Sequence, residues 1–516
     1  MRASDQTITP AMETVATVLE RHGIEPIPDA ERTATVLDFM RVEWGGLNSL
    51  ATAVLGALPI VLGLSFWQGL AATTIGVLLG ALVLAPMAIF APLTGTNNAV
   101  SSSAHFGIVG RIVGSFLSLL TAIAFFSISV WSSGDAVIGA AARAFGSHPS
   151  ETVYAAAYAF FIVSVLVVSV YGFRIMLLVN KIAVIAASLL FLCGFVAFWP
   201  DFDPMFAGAG LKWGTPGFAP VFATAVLIAL ANPISFGAYL GDWSRYVPRT
   251  ASRLALMAAS TFAQIMSLIP FVFGLMTASI IATKAPHFME HANYTGGLLA
   301  IAPQWFFVPL LLLALLSGMS TGTTSLYGTG LDFSSILPGL SRPKATLLIG
   351  MLASVLIFVG RFLFNLIDSL TTFVALIVVA TTPWMMIMMI GYLFRRGVYF
   401  PDAMQVFNRG QRGGAYWFHN GWNLAGCSAW GLSSSLALLT VNIPGHFVGW
   451  LGNLAGGVDI SVLCAVILPA MVYPILLWLF PEPRGVFGPR GPRWGRALDR
   501  PLAPIVGESS VERPRR

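Results

Sequence analysis

Long uninterrupted apolar runs constrain this chain more than any other feature. Each is long enough for a helix to cross a hydrocarbon core of ~30 Å, which needs about 20 residues, and charged residues or Pro/Gly breaks separate them. The predicted spans are 44–64, 67–93, 109–140, 152–172, 176–199, 218–241, 252–282, 305–330, 344–366, 369–394, 424–441 and 461–480. Only 10% of the 516 residues are charged, against about a quarter in soluble chains. The sequence therefore predicts an all-α polytopic membrane protein with 12 transmembrane helices.

The two ends of the chain differ in composition from the 44–480 membrane domain. Residues 1–43 hold no apolar core, so they predict a cytoplasmic N-terminal extension rather than a signal peptide. Residues 481–516 form a basic tail rich in Pro, Gly and Arg, and eight of the 28 Lys and Arg lie beyond Pro483. This pattern is typical of a cytoplasmic tail beside anionic membrane lipid, and it does not require a nucleic-acid partner.

The distribution of basic residues between the loops predicts the orientation. With both termini inside, twelve Lys and Arg of the loops and span ends lie on the cytoplasmic side and four lie outside. A bias of this size follows the positive-inside rule. We expect a multi-pass protein of the plasma (inner) membrane of a bacterial-type cell, with both termini cytoplasmic.

Polar patches interrupt the first and sixth spans. Segments 45–52 (GGLNSLAT) and 231–237 (ANPISFG) place helix-breaking and polar residues inside apolar runs. An unsatisfied polar group at this depth costs several kcal/mol, so polar residues here are expected to bind a solute. Both segments are also expected to unwind locally. Paired interruptions at equivalent positions of two inverted repeats are typical of transporter binding sites. The alternative is that Gly and Pro are simply common in membrane helices, which explains one patch more readily than the pair.

Hydroxyl side chains form a stripe on the eighth span. Segment 317–325 (SGMSTGTTS) places Ser or Thr at positions 317, 320, 321, 324 and 325, on one helical face. With carbonyls released by a broken first helix, they would form an oxygen cage suited to a small alkali cation. Alternatively, they bond to their own i−4 carbonyls or allow close helix packing. The break in the first helix favours the cation site.

The third span carries an aromatic and hydroxyl face that includes Phe125 and Ser129. Such a face can stack a flat ring and fix its edge, although aromatic stripes also face lipid or pack in a core. Asp135 lies near the outer end of the same span, where an interfacial position is expected.

The remaining reactive side chains do not predict an enzyme or a cofactor. His105 follows Ser101, Ser102 and Ser103 without an accompanying base, acid or metal-ligand cluster. A channel would need a continuous polar pore, whereas the polar residues gather in patches at mid-membrane. A carrier is therefore favoured over a channel, a receptor or an enzyme.

Several segments resemble the nucleobase:cation symporter-1 family, and members related to purine-cytosine permeases are the most similar. The resemblance rests on residues 20–28 (ERHGIEPIP), 55–58 (LGAL), 63–67 (GLSFW) and 241–248 (GDWSRYVP), and it runs from about Val18 to the end of the twelfth span. It implies a LeuT-like fold in which two inverted five-helix repeats, about 44–199 and 218–394, are followed by two peripheral helices within 424–480.

The resemblance also implies positions for the ligands. The family's sodium site falls on the backbone of Gly45 and Asn48 and on the side of the eighth helix that bears Ser317, Ser320 and Thr321. The substrate positions fall on Ser49, Phe125, Ser129, Asn232, Ser235, Phe236 and Ser325. Phe125 and Ser129 stand where the family often has a tryptophan and an amide, so the pocket is expected to differ from that of a cytosine carrier.

We therefore expect a secondary transporter that imports a nucleobase or a related ring compound of the cytosine, purine, uracil, allantoin or hydantoin class. Transport would proceed by cation symport with alternating access, with a sodium ion or a proton as the coupling ion. A proton-coupled amino-acid or vitamin transporter of the same architecture is the alternative, because Gly45 and Gly46 beside a helix break would also suit a carboxylate.

Overall fold

The computed structural model is almost entirely helical over the residues that it describes, 25–507 without 147–149, 172, 216, 291–292, 338–339, 364–365 and 444–446. The helices of the first half are α1 (Val36–Leu47), α2 (Leu50–Val61), α3 (Phe66–Leu84), α4 (Phe90–Thr94), α5 (Asn98–Ser101), α6 (Ser103–Phe106), α7 (Ile112–Phe145), α8 (Glu151–Tyr171) and α9 (Phe173–Phe198). Those of the second half are α10 (Phe218–Ser235), α11 (Gly241–Ser244), α12 (Arg253–Met266), α13 (Leu268–Lys284), α14 (Pro286–Glu290), α15 (Tyr294–Ile301), α16 (Phe307–Ile336), α17 (Arg342–Leu363) and α18 (Leu366–Phe394). Two more helices follow, α19 (Leu424–Leu439) and α20 (Ser461–Leu479).

Short 3-10 turns and strands complete the described part of the chain. The 3-10 turns are Asp29–Glu31, Ala85–Ile89, Trp199–Asp201, Asp402–Gln405 and Arg484–Phe487. The strands are β1 (Arg412–Gly414), β2 (Asn442–Ile443), β3 (Phe447–Val448) and β4 (Ala503–Val506); β1 pairs with β4 and β2 with β3, both antiparallel. Residues 1–24 of the predicted N-terminal extension and 508–516 of the predicted tail lie outside the described residues.

The described helices confirm a twelve-span membrane protein. Ten stretches are long and apolar enough to cross a bilayer, and the bent pair α1 and α2 makes an eleventh. The apolar helix α19, with 16 residues, provides the twelfth. We refer to these twelve in chain order as spans 1 to 12, so that span 1 is α1 with α2, span 5 is α9, span 6 is α10, span 7 is α12 with α13, and span 8 is α16.

The helix packing follows the pattern expected of two inverted five-helix repeats. The three most extensive contacts are α7 with α16, α3 with α10, and α2 with α13. These pairs join spans 3 and 8, spans 2 and 6, and spans 1 and 7. In two five-helix repeats, span 1 corresponds to span 6, span 2 to span 7 and span 3 to span 8. Under this correspondence the pair of spans 2 and 6 becomes the pair of spans 7 and 1, and the pair of spans 3 and 8 stays the same. The broken span 1 therefore takes part in a pattern of contacts that is symmetric between the two repeats.

Two glycines allow spans 1 and 7 to approach at backbone distance. A Cβ atom at Gly56 would lie 2.2 Å from the carbonyl oxygen of Phe271, and one at Gly274 would lie 1.9 Å from that of Ala53. Any side chain at either position would force the helices apart. The second half of span 1, α2, is thereby fixed against span 7. The first half, α1, is inclined relative to α2.

Span 1 begins at Val36, not at residue 44 as the apolar pattern predicts. Thr35 caps the helix: its Oγ1 accepts a hydrogen bond from the Asp38 backbone N–H, and the Asp38 carboxylate accepts one from the Thr35 N–H. The charged residues that hid this first part of the helix include Glu43, which is fully buried.

Span 6 is interrupted later than segment 231–237 predicts. Helix α10 continues through Pro233 and ends at Ser235, and turns at 236–240 separate it from α11. Proline removes one backbone donor, but so near the helix end the remaining turn closes by shorter bonds such as Phe236 N–H to Pro233 O, 3.1 Å. The prediction of a break in span 6 is confirmed, but Asn232 itself lies in helical backbone.

Candidate functional site

The break in span 1 releases two backbone carbonyls. In a continuous helix the N–H groups of Ser49 and Leu50 would bond to the carbonyls of Gly45 and Gly46. Here the Ser49 N–H bonds to Leu47 O at 2.9 Å, and the Leu50 N–H bonds to Ser317 Oγ at 3.1 Å. The helix resumes at α2 with a bend of 53°. The carbonyl oxygens of Gly45 and Gly46 are therefore available to groups outside the helix.

Hydroxyl groups of span 8 meet these carbonyls. Ser320 Oγ lies 2.8 Å from Gly45 O, and Thr321 Oγ1 lies 2.8 Å from Gly46 O. Together with the bond from the Leu50 N–H to Ser317, they attach span 8 to both sides of the break. The structure thus brings Gly45, Ser317, Ser320 and Thr321 together, as the sequence predicted.

Span 5 contributes a side chain that the sequence reasoning missed. Asn180 is fully buried, and its Oδ1 lies 2.6 Å from Ser320 Oγ. Its amide nitrogen donates to Met176 O at 2.9 Å, which turns the oxygen towards the break. A Cβ at position 45 would lie 2.3 Å from this oxygen, so Gly45 allows Asn180 to reach the site.

Asn48 is attached to span 5 through its side chain. Its Nδ2 donates to Ser188 Oγ at 2.8 Å and to Val184 O at 3.3 Å. This side-chain bonding holds the non-helical residue between α1 and α2 against α9. The predicted role of the Asn48 backbone is not addressed by these bonds.

The oxygen cluster fits a small monovalent cation. It combines backbone carbonyl, hydroxyl and amide oxygens, which are hard neutral ligands. The carbonyls lie at the C-terminal end of α1, where the helix dipole is negative. Among the described residues, no group of three or more His, Cys, Asp or Glu is placed to hold a metal ion.

An aromatic cluster lies beside the break. The rings of Phe125 in span 3 and Phe236 after span 6 have centroids 6.0 Å apart and are inclined at 64°. Phe236 also contacts Tyr239 and Trp243, with centroids at 5.3 and 5.6 Å. The sequence predicted the first two aromatic residues and not the last two, because Trp243 was assigned only to the family motif at the end of span 6.

Gly46 joins the oxygen cluster to the aromatic cluster. Its carbonyl accepts from Thr321, and a Cβ at this position would lie 3.3 Å from Thr324 Oγ1 and 3.7 Å from a ring carbon of Phe236. The two clusters therefore share Gly46, and a solute bound at one cluster would lie next to the other.

Most predicted polar substrate contacts are already hydrogen-bonded. Ser49 Oγ accepts from the Thr52 N–H at 3.3 Å, Ser129 Oγ donates to Phe126 O at 2.8 Å, and Ser235 Oγ donates to Asn232 O at 2.5 Å. Ser325 is buried in span 8. These hydroxyl groups would have to share or exchange their bonds to contact a solute.

Asn232 differs from them because both polar atoms of its side-chain amide are buried without a hydrogen-bond partner. A buried amide left unpaired costs about 1–3 kcal/mol, so such a group in a native site calls for an explanation. It lies four residues before Phe236, on the same helical face at the end of α10. A ligand that presents both a donor and an acceptor would satisfy it.

Glu43 is a second polar group that the sequence reasoning missed. It lies in α1, and its Oε1 accepts from Ser260 Oγ at 2.9 Å and from Gln264 Nε2 at 2.8 Å. Because the predicted span started after it, no mid-membrane role was assigned. The contacts attach the first half of span 1 to α12 of span 7.

Asp135 is half-buried, and α7 continues beyond it to Phe145. It accepts a hydrogen bond from the Tyr158 hydroxyl, which in turn accepts from Arg361 Nε at 2.9 Å. This network joins spans 3, 4 and 9, which supports a structural assignment for this carboxylate.

Comparisons with known proteins agree with this arrangement. The family model described as permease for cytosine/purines, uracil, thiamine, allantoin matches residues 26–463. The Bacillus subtilis (strain 168) protein YxlA, named as a purine-cytosine permease, is 25% identical over 475 residues, covering 89% of this chain and 96% of its own length. The vitamin B6 transporter TPN1 of Saccharomyces cerevisiae is 31% identical over 127 residues, covering 23% of this chain and 21% of its own length.

Solved structures show the same fold. Mhp1, a nucleobase-cation-symport-1 family transporter in a closed conformation with bromovinylhydantoin bound, has a TM-score of 0.68 at 17% identity over 90% of this chain and 97% of its own. A Na⁺-coupled sialic acid symporter has a TM-score of 0.54 at 14% identity, over 87% and 91% of the two chains. The LeuT-like fold is confirmed, and the chain belongs to the nucleobase:cation symporter-1 family, whose members are membrane permeases and not enzymes.

Proposed function

We propose that this transporter imports a nucleobase-like ring compound together with a monovalent cation. The cargo class comprises cytosine, purines, uracil, allantoin and hydantoins. The observation that carries the proposal is the pair of carbonyls released at Gly45 and Gly46, which meet hydroxyls of span 8 on one side and the aromatic cluster on the other. The family description and the hydantoin bound to Mhp1 support the cargo class.

The proposed cation ligands surround the break in span 1. They are the backbone oxygens of Gly45 and Asn48 and the side of span 8 that bears Ser317, Ser320 and Thr321, as expected from the sequence, with Asn180 added. Sodium is the proposed coupling ion, because the ligands that lie together are neutral oxygens. The Na⁺-coupled symporter of the same fold is consistent with this choice.

The proposed cargo site lies between Phe125 and Phe236. Stacking a flat ring between two aromatic rings needs about 7 Å, twice the contact distance between carbon atoms. The rings are now 6.0 Å apart and inclined, so they have to separate and become more parallel to admit cargo. The Asn232 amide would read the ring edge, with Ser49, Ser129, Ser235 and Ser325 as neighbouring hydroxyls.

Coupling would follow from the position of Gly46 between the two clusters. A cation bound at the break fixes the backbone at Gly45 and Gly46 relative to span 8. That fixes one wall of the cargo site, so either ligand should raise the affinity of the other by the same factor. Movement of spans 1 and 6 relative to spans 3 and 8 would then expose the loaded site to the cell interior. In this proposal the protein lies in the plasma membrane with both termini in the cytoplasm.

Uptake into proteoliposomes tests the proposal. Purified protein is reconstituted and assayed with radiolabelled uracil, cytosine, adenine, hydantoin and allantoin, under an inward gradient of sodium or of potassium. Saturable uptake of at least one ring compound that requires the sodium gradient is the expected result. Uptake that depends only on a proton gradient contradicts the sodium assignment, and absence of saturable uptake for every ring compound contradicts the cargo assignment.

A vitamin transporter is the second candidate. The yeast vitamin B6 transporter matches 127 residues of this chain, and the vitamin is also a small flat ring with polar edges. The buried Glu43 supplies a carboxyl group in span 1 that a proton-coupled carrier would need. Pyridoxine uptake driven by a pH gradient and unaffected by excess uracil would favour this candidate over the first.

A further inference from the structure

A built cavity lies where the C-terminal segment packs against the ends of spans 10 and 12. Its volume is about 210 Å³. Its walls are mostly apolar and aromatic, and Arg496 lies at its edge. The lining residues are Phe394, Pro474, Leu477, Trp478, Glu482, Phe487, Trp494, Gly495 and Arg496.

Several bonds hold this segment in place. Arg395 Nη2, at the end of span 10, lies 2.6 Å from Glu482 Oε2, and both side chains are almost completely buried. Asn423 Nδ2 donates to the other Glu482 oxygen at 2.6 Å. The Arg493 N–H donates to Phe394 O at 2.9 Å, which places the following residues over the end of α18. The cavity is therefore part of the folded protein and not a gap beside a loose tail.

The electrostatics favour an anion. Glu482 is the acidic residue of the lining, and Arg395 compensates its charge. Residues 481–507 contain five arginines, at positions 484, 490, 493, 496 and 500, all exposed, and two acids, Glu482 and Asp499. The guanidinium of Arg496 lies 5.9 Å from the ring centroid of Trp478, and that of Arg493 lies 5.0 Å from that of Trp494. Arg496 lines the cavity, Arg493 lies over the ring of the lining residue Trp494, and both arginines are exposed.

An exposed apolar surface of span 12 ends at Trp478, which lines the cavity. Trp478 and Leu479 are exposed in the last turn of α20, and Ile475 and Met471 are exposed one and two turns before. Tryptophan at a helix end is typical of the interface between hydrocarbon and headgroups. An acyl chain can follow this surface while its headgroup lies at the arginines.

We propose that this cavity binds an anionic phospholipid. Its phosphate would lie between Arg493 and Arg496, and its acyl chains against Trp478 and the apolar face of span 12. A free anion such as inorganic phosphate would meet mainly apolar walls, so the combination of arginines and apolar surface favours the lipid. The site is distinct from the proposed transport site and does not depend on the transported solute.

Native mass spectrometry of the detergent-solubilised protein tests the proposal. The protein is titrated with phosphatidylglycerol, with phosphatidylcholine and with inorganic phosphate. Each basic residue near an anionic headgroup contributes about 1 kcal/mol, or about fivefold in affinity. Arg493→Gln with Arg496→Gln should therefore weaken phosphatidylglycerol binding roughly 25-fold and leave phosphatidylcholine binding unchanged.

Two further variants separate a specific site from a general charge effect. Arg490→Gln removes an exposed arginine of the same segment that neither lines the cavity nor lies over one of its tryptophan rings, as Arg496 and Arg493 do, and it should leave the affinity within about twofold of the wild type. Arg493→Lys with Arg496→Lys keeps the charge and should retain most of the binding. Equal loss in Arg490→Gln, equal binding of phosphatidylcholine, or undiminished binding in the double Gln variant would overturn the proposal.

Discussion

Ser320→Ala is expected to weaken sodium binding without abolishing the fold. The hydroxyl that it removes lies 2.8 Å from the carbonyl of Gly45 and 2.6 Å from Asn180 Oδ1, so it contacts the broken helix and span 5 together. Alanine keeps the helix of span 8, since its helix propensity is higher than that of serine. The change therefore removes one oxygen of the proposed site and little else.

The size of the effect follows from the kind of contact that is lost. An interaction between a neutral group and a charged partner contributes about 1.5–3 kcal/mol. At 1.4 kcal/mol for each factor of ten, the Kd for sodium should rise about 10- to 150-fold. Substrate affinity at saturating potassium should change little, because Ser320 contacts the oxygen cluster and not the aromatic one.

Isothermal titration of sodium into purified protein at constant ionic strength measures this change. Thr323→Ala is the matched control, because its hydroxyl bonds within the same helix to Ser320 O at 3.1 Å and contacts neither broken segment. The control should retain the wild-type Kd. If Ser320→Ala retains wild-type sodium affinity and Thr323→Ala does too, the oxygen cluster at the break is not the cation site.

The other predictions concern the cargo site and the C-terminal segment. Phe125→Ala should raise the substrate Kd about tenfold in equilibrium binding, since one stacking face of ~1.5 kcal/mol is lost, and should leave sodium affinity without substrate unchanged. Asn232→Ala should raise the substrate Kd about 10- to 100-fold while the melting temperature stays the same or rises, because the unliganded amide has no partner to lose; unchanged substrate affinity in both variants would place the site elsewhere. Arg395→Gln should lower the free energy of unfolding by about 3–5 kcal/mol, because it leaves the buried Glu482 without its cation. Thermal denaturation measures this change, and an unchanged melting temperature would contradict the prediction.

The sequence predicted the membrane fold well because its apolar runs are long and clearly separated. Each predicted apolar run corresponds to one observed span, and the predicted and observed ends of most spans differ by a few residues. The exception was span 1, where Asp38, Arg41 and Glu43 hid the first turns. Their side chains are tolerated because a capping box and buried partners satisfy them, and such partners cannot be seen in a linear pattern.

The site was predictable only where polar residues cluster in the sequence. The Gly-Gly and hydroxyl segments of spans 1 and 8 met as expected, at Gly45 with Ser320 and Gly46 with Thr321. Asn180 was missed because only Lys181 accompanies it in an apolar run, and its place in the oxygen cluster depends on how span 5 packs against the break. The end of α10 was misplaced because Pro233 predicts a break at its own position, whereas the helix continued to Ser235.

The mutual dependence of sodium and substrate binding tests the central claim most directly. The Kd of a transported ring compound is measured by titration at several sodium concentrations, and the Kd of sodium at several concentrations of the compound. Each ligand is expected to lower the Kd of the other by the same factor, because the backbone at Gly45 and Gly46 joins the two proposed sites. A substrate Kd that stays constant from zero to saturating sodium would contradict it.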